Sequence, residues 1–241
     1  MIDLTTKYMG FKIKNPIVAA SSGLTDSADK VKNLEINGAG AVVLKSLFEE
    51  QIMMEINAIT ASNIYNKNSE AEDYISFYTR KHNIDEYLRF VEDSKKAVNI
   101  PVIASLNCFS IGQWVSFAER IESAGADGIE LNMFILPSDQ KFSGAEIEEI
   151  YFDIIRGVRK NTKLPIAVKL STYFSGMADS LIKISKEDIS AMVLFNHFYS
   201  PTVDLDKEEM VSSRVFSLAE DNSNCIRWIG LTADKVRCDL V

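Results

Sequence analysis

With two histidines and three cysteines among its 241 residues, the chain has little of the two side chains that most often bind transition metals. His82 and His197 are far apart and share no ligand spacing, so zinc or iron chemistry is not expected. Cys108, Cys225 and Cys238 are odd in number and form no C-x-x-C pair, which argues against a disulfide framework and for a reducing compartment. Positive charge is also scarce: 26 Lys and Arg stand against 34 Asp and Glu, a formal net charge of −8. A surface built to neutralise phosphates needs the opposite balance, so no nucleic-acid partner is expected. No apolar run reaches the roughly 18 to 20 residues of a membrane span, and Met1 to Gly10 lacks the basic start and apolar core of a secretion signal. A cytoplasmic protein with no membrane partner is the expectation. Neither G-x-G-x-x-G nor G-x-x-x-x-G-K-[ST] occurs, which weakens a nicotinamide or nucleoside-triphosphate reading.

What the chain does have is a recurring unit, in which short apolar runs each follow an amphipathic stretch. The runs are Pro16–Ala20, Ala41–Leu44, Pro101–Leu106, Gly128–Leu131, Pro165–Leu170 and Ala191–Phe195. This is the pattern of βα units feeding a parallel sheet, and six parallel strands are predicted. Gly38 and Gly125 stand where a helix would end in a left-handed cap, whereas Pro101 and Pro165 stop a helix and open a strand. Residues 35–44 and 122–131 echo one another as E-x-x-G-A-x-x-x-x-L. Helical spacing is clear for Trp114, Phe117, Ala118 and Ile121, and again for Ile147, Ile150, Tyr151, Ile154, Ile155 and Val158. The expected architecture is one α/β domain over residues 1–241. A hairpin over 3–14, turning at Gly10, would cap a barrel floor, and a long polar segment over 52–84 would be a lid or insertion.

In a parallel barrel the active face lies at the carboxyl ends of the strands, so the first polar residue after each apolar run carries the information. Those residues are Ser21 and Ser22, Lys45, Asn107, Asn132, Lys169 within its strand, and Asn196. Any one asparagine at a strand end can simply open a loop; it is the convergence that points to a site. Asparagine amides donate and accept to ring heteroatoms, and a lysine ammonium stabilises negative charge, so the set suits a planar, electron-accepting ring such as flavin. Lys169 inside Ile-Ala-Val-Lys-Leu is costly to bury without a partner, which favours a functional role. Cys108 reads better as an inert core thiol, Glu49–Glu50 as a helix cap, Met53–Met54 and Phe198–Tyr199 as packing, and Asp204–Glu209 as a solvated face.

Five segments carry a resemblance in order along the chain. They are Asn15–Gly23 (NPIVAASSG), Gly38–Ser46 (GAGAVVLKS), Glu122–Asn132 (ESAGADGIELN), Pro165–Leu170 (PIAVKL) and Leu194–Asn196 (LFN). Together they resemble the dihydroorotate dehydrogenases. Ser46–Ile52, Ile100–Asn107 and Arg227–Leu231 look like a bacterial branch described as dihydroorotate dehydrogenase-like. The resemblance implies a TIM (β/α)8 barrel holding FMN, a flavoprotein of pyrimidine biosynthesis that oxidises a C–C single bond by hydride transfer. A small-molecule substrate would be its partner, with a homodimer as its assembly. By position, Lys45, Asn107, Asn132, Lys169 and Asn196 match the family's flavin or substrate contacts, Lys45 being the catalytic candidate, and Ser21 and Ser22 match its first-strand loop.

The pattern departs from the family in three places. Asn132-Met-Phe-Ile-Leu-Pro-Ser138 replaces the family's Asn-Leu-Ser-Cys-Pro-Asn, which leaves the general base unassigned. Its Asn-x-x-Gly-Leu-x-Asn substrate loop has no counterpart in 52–84. The chain ends at Asp239–Val241, where the family enters its seventh strand, so a barrel lacking one to two βα units is expected, cut short or completed by a partner. Two other readings stay open: a barrel that has lost catalysis and acts in binding or regulation, and a flavin-free lyase or aldolase using Lys169 as a Schiff base.

Overall fold

The computed structural model describes residues 2–48, 69–107, 111–196, 201–212 and 218–241. An antiparallel hairpin, β1 (Thr6–Tyr8) and β2 (Phe11–Ile13), comes first. Parallel units follow: β3 (Val18–Ala19), α1 (Ala28–Ile36), β4 (Ala41–Val43), β5 (Leu47–Phe48), α2 (Ser69–Ala97), β6 (Val102–Asn107), α3 (Ile111–Ser123) and β7 (Gly128–Asn132). Next come α4 (Gly144–Asn161), β8 (Ile166–Leu170), α5 (Met177–Ile184) and β9 (Ala191–Leu194). A second hairpin, β10 (Pro201–Asp204) and β11 (Glu209–Ser212), precedes α6 (Asn222–Thr232) and the closing β12 (Asp239–Leu240). Of the polar segment 52–84, residues 69–84 open α2 and 52–68 lie outside the described residues, as do Cys108, Glu49–Glu50, His197 and Phe198–Tyr199.

The main sheet runs β3-β4-β6-β7-β8-β9-β12, every pairing parallel, with β5 adding to β6. Along this path each strand lies beside the preceding strand of the path, with the β10–β11 hairpin inserted between β9 and β12, so the sheet is wound in one direction and curls. This is the α/β architecture of a (β/α)8 barrel with fewer units, and β12 is the seventh strand of its path. Among the described residues β3 and β12 are its two edges and do not pair with each other.

Side chains alternate across the strands and sort into two clusters. Val42, Leu44, Val102, Ala104, Leu106, Ile129, Leu131, Ile166, Val168, Leu170, Met192 and Leu194 face outward to the helices. Ala41, Val43, Ile103, Ala167 and Ala191 face inward and meet Tyr8, Met9 and Ile13 from the hairpin. Burial on both faces is why these strands read as unbroken apolar runs. The hairpin therefore closes the interior at the amino ends of the strands. Asp239 pins it there, its Oδ2 accepting the Met9 backbone N–H at 2.8 Å.

Local signals set the helix ends. Gly38 and Gly125 take φ of +102° and +84° after α1 and α3, the left-handed conformation that a Cβ would penalise. α4 begins with a capping box: the Glu146 N–H donates to Ser143 Oγ and the Ser143 N–H to Glu146 Oε2. Among the described residues no helix is long and apolar enough to cross a membrane.

Candidate functional site

The alternation that makes Ile103 and Ala167 line the floor turns polar toward the carboxyl ends of the same strands. Two residues beyond Ile103 is Ser105, two beyond Gly128 is Glu130 and then Asn132, and two beyond Ala167 is Lys169. These side chains share the inward face, and their register puts Ser105 opposite Glu130 and Asn132 opposite Lys169. Asn196 lies past the end of β9. Its backbone N–H donates to the Leu170 carbonyl at 2.8 Å, continuing the β8–β9 ladder, and its Nδ2 donates to Asn132 Oδ1 at 2.5 Å.

On the other side the seam is made of hydroxyls. Ser105 Oγ donates to Glu130 Oε1 at 3.1 Å and shares a hydrogen bond with Ser46 Oγ at 2.7 Å. Ser46 Oγ in turn shares one with Ser21 Oγ at 3.1 Å, and the Ser46 N–H donates to Ser21 Oγ at 2.9 Å. A bulge turns Ser46 to this position. Val43 pairs with Ile103 but Leu47 with Leu106, so four steps on one strand oppose three on the other. The Tyr87 hydroxyl from α2 serves the Ser105 backbone beside that break, accepting its N–H at 3.0 Å and donating to its carbonyl at 2.9 Å.

Glu130 is the electrostatic centre of the seam. Only 2% of it is exposed, and Lys169 Nζ stands 4.0 Å from its Oε1. Burial pushes the Glu130 carboxyl above the usual carboxylate range, while the Lys169 ammonium and the Ser105 hydroxyl pull it back. Burial first, and then the negative fields of Glu130 and Asp239, push the Tyr8 phenol upward.

Of the residues singled out from sequence, Ser21 and Lys169 belong to the chain of contacts through Ser46, Ser105 and Glu130, and Asn132 and Asn196 form a separate amide pair, with Asn132 in register with Lys169. Ser22 instead builds a local turn, its N–H donating to Thr25 Oγ1 at 3.0 Å and its Oγ accepting from Leu24 N–H at 3.2 Å. Lys45 lies in the bulge, exposed, with its charge felt at Asp26, whose carboxyl is held low chiefly by the Lys30 side chain. Asn107 ends β6, half-buried, in register with Phe48. Sequence reasoning passed over Glu130, Ser105 and Ser46. The signal was present: counting back by two from Asn132 gives Glu130, a carboxylate inside an apolar strand, which is the argument that singled out Lys169.

Such a mouth can grip a planar polar ligand between amides and a cation while a carboxylate beneath balances the charge. No family model matches the chain. It is similar to curated proteins described as dihydroorotate dehydrogenase B (NAD(+)), catalytic subunit. The Thermoplasma volcanium protein is 26% identical over 233 residues, covering 90% of this chain and 69% of that one. Those of Thermoplasma acidophilum and Endomicrobium trichonymphae are 27% and 25% identical, covering 85% and 84% of this chain and 66% and 64% of their own lengths. The chain thus spans about two thirds of the length of these relatives. Among solved structures, phosphonopyruvate hydrolase matches with a TM-score of 0.52 at 12% identity, over 93% of this chain and 66% of that one, a likeness of fold alone. In sequence, then, the chain is similar over most of its length to proteins described as dihydroorotate dehydrogenases.

Proposed function

We propose that the chain holds FMN at the mouth of the partial barrel, in an oxidoreductase that acts on a CH–CH single bond as the dihydroorotate dehydrogenases do. The observation that carries this reading is the Asn132–Asn196 amide pair, set one strand position from the inward Lys169. That donor set fits an isoalloxazine ring, whose polar edge needs both donors and acceptors and which gains negative charge on reduction. Nothing in it asks for a metal. When bound, FMN supplies the acceptor for a hydride equivalent.

The chain's own residues supply binding and electrostatics. Lys169 offsets negative charge, Asn132 and Asn196 orient ring or substrate, and Ser21 and Asn107 add hydrogen bonds at the rim. Ser22 shapes the first loop. Lys45, exposed on its bulge, is free to meet a ligand's anionic group and remains the catalytic candidate, with the proton-removing base unassigned. The substrate is a small molecule, a dihydropyrimidine in the family's manner.

Titration of the purified protein with FMN tests the reading: saturable quenching of flavin fluorescence and a shifted visible spectrum are expected. Absence of both removes it. One observation favours a second reading, a barrel that binds without turnover. The segment after β7, from Met133 to Ser138, offers no cysteine and runs out to exposed Leu136, Pro137 and Ser138. Flavin that binds yet is never bleached anaerobically by dihydroorotate or related dihydropyrimidines would select it.

A further inference from the structure

We infer that Glu130 is a positioning residue for Lys169, a buried counter-charge beneath the mouth that holds the ammonium and sets how strongly it favours a reduced ring above it. The inference rests on the FMN reading of the site. Three features carry it. Glu130 is almost wholly buried between Ile129 and Leu131 in β7, where a carboxylate without a task would be replaced at little structural cost by an apolar residue. The charge that faces it is the inward Lys169, 4.0 Å away and itself nearly buried, with the two side chains 3% and 11% exposed. The carboxylate is also aimed rather than loose, because Ser105 Oγ donates to Oε1 and is backed by Ser46 and Ser21 in a chain of hydroxyls reaching the rim.

A lone ammonium at the mouth would present a full positive charge to any ligand. With a carboxylate directly beneath, the field felt above is that of a dipole, positive end up, and the lysine is drawn down toward the strand. Glu130 therefore makes the site a weaker electron attractor than its lysine alone would be. It touches neither ring nor substrate and acts through Lys169.

The test is the midpoint potential of FMN bound to the full chain at pH 8, well above the ordinary carboxylate range. It is measured for wild type, Glu130→Gln, Glu130→Asp and Lys169→Met, and for the Glu130→Gln/Lys169→Met double variant. Glu130→Gln should raise the affinity for reduced over oxidised FMN about tenfold, a positive shift of about 30 mV for a two-electron couple. Glu130→Asp, which keeps the charge, should restore most of the wild-type value. In the Lys169→Met background the buried carboxyl, without its counter-charge, is driven further toward its neutral form, so the Glu130→Gln shift should vanish. If Glu130→Gln misfolds, Ser105→Ala, which removes the donor to Oε1, should give a smaller shift of the same sign. An equal shift with and without Lys169, or no shift in any folded variant, overturns the role of Glu130 while leaving the flavin site intact. Failure of wild type to take up FMN, seen first by fluorescence, removes the reading of the site and the inference with it.

Discussion

The inner face of the sheet has two ends, and the same strands build both. At the amino ends Ala41, Val43, Ile103, Ala167 and Ala191 meet Tyr8, Met9 and Ile13 of the hairpin in a dry plug. One or two alternations further on, Ser105, Glu130, Asn132 and Lys169 face the same interior and join Ser21, Ser46 and Asn196 in a polar seam. Small apolar residues and a tight hairpin stabilise one end through area removed from water, at about 25 cal/mol per Å2. The other end places hydrogen-bonding groups and a charge pair where burial is expensive, and so spends stability on recognition. Floor and mouth should therefore respond to mutation in opposite ways.

The largest loss of stability is expected at the floor. Ile103 is fully buried against the hairpin, and Ile103→Ala leaves a cavity costing about 3 kcal/mol. Urea denaturation should show the midpoint falling without a change in slope, while the folded fraction binds FMN as wild type does. A loss of flavin affinity equal to that of a mouth variant would break the division of labour.

At the mouth, Lys169→Met strands the Glu130 carboxylate, costing about 2 kcal/mol, below the roughly 3 to 5 kcal/mol of a fully buried pair because Lys169 keeps some solvent access. Adding Glu130→Gln should recover most of that stability but leave flavin affinity weakened, still saturable at higher FMN, and full recovery of both would count against Lys169 as a ring contact. The pH dependence gives the pair's sign. Burial raises the Glu130 carboxyl, so the folded state holds its proton more tightly than the unfolded state does. Between the ordinary glutamate value and the raised one, stability conferred by the protonated form is lost as pH rises. Wild type minus Glu130→Gln, measured by denaturation across that window, should therefore fall with pH; a flat difference would mean that the pair fully offsets the burial.

How much of this was legible beforehand follows from the same physics. Strands buried on both faces read as apolar runs, so β4, β6, β7, β8 and β9 stood out, and the glycines after α1 and α3 marked the turns between them. β5 did not stand out, because two residues after a bulge carry no period. Nor did the β10–β11 hairpin: Asp204 to Glu209 reads as a solvated charge run, and its turn has no glycine. There the Asp204 carboxylate does the turning, its Oδ1 accepting from the N–H groups of Asp206 and Lys207 at 3.0 and 3.2 Å. In the mouth, strand-end asparagines announced themselves by following apolar runs. Glu130 was hidden by the same rule, since an isolated charge flanked by Ile129 and Leu131 is absorbed into the run. Lys45 could be named but not aimed, because the bulge that decides its direction is invisible without the register.

The smallest effect belongs to a charged fastening of the floor. Asp239 on the last strand accepts the Met9 backbone N–H from the first hairpin at 2.8 Å, bridging residues 230 apart in sequence. Asp239→Asn keeps an acceptor oxygen but removes the charge that strengthens the bond, which should cost about 1 kcal/mol. The apolar plug of Tyr8, Met9 and Ile13 remains, so the hairpin should stay docked but open more often. Hydrogen exchange at the Met9 amide should therefore accelerate by about fivefold, while amides of β7 and β8 keep their protection and FMN binding is unchanged. Acceleration spreading to β7 or β8 would mean instead that the fastening holds the sheet together, and that floor and mouth are a single cooperative unit.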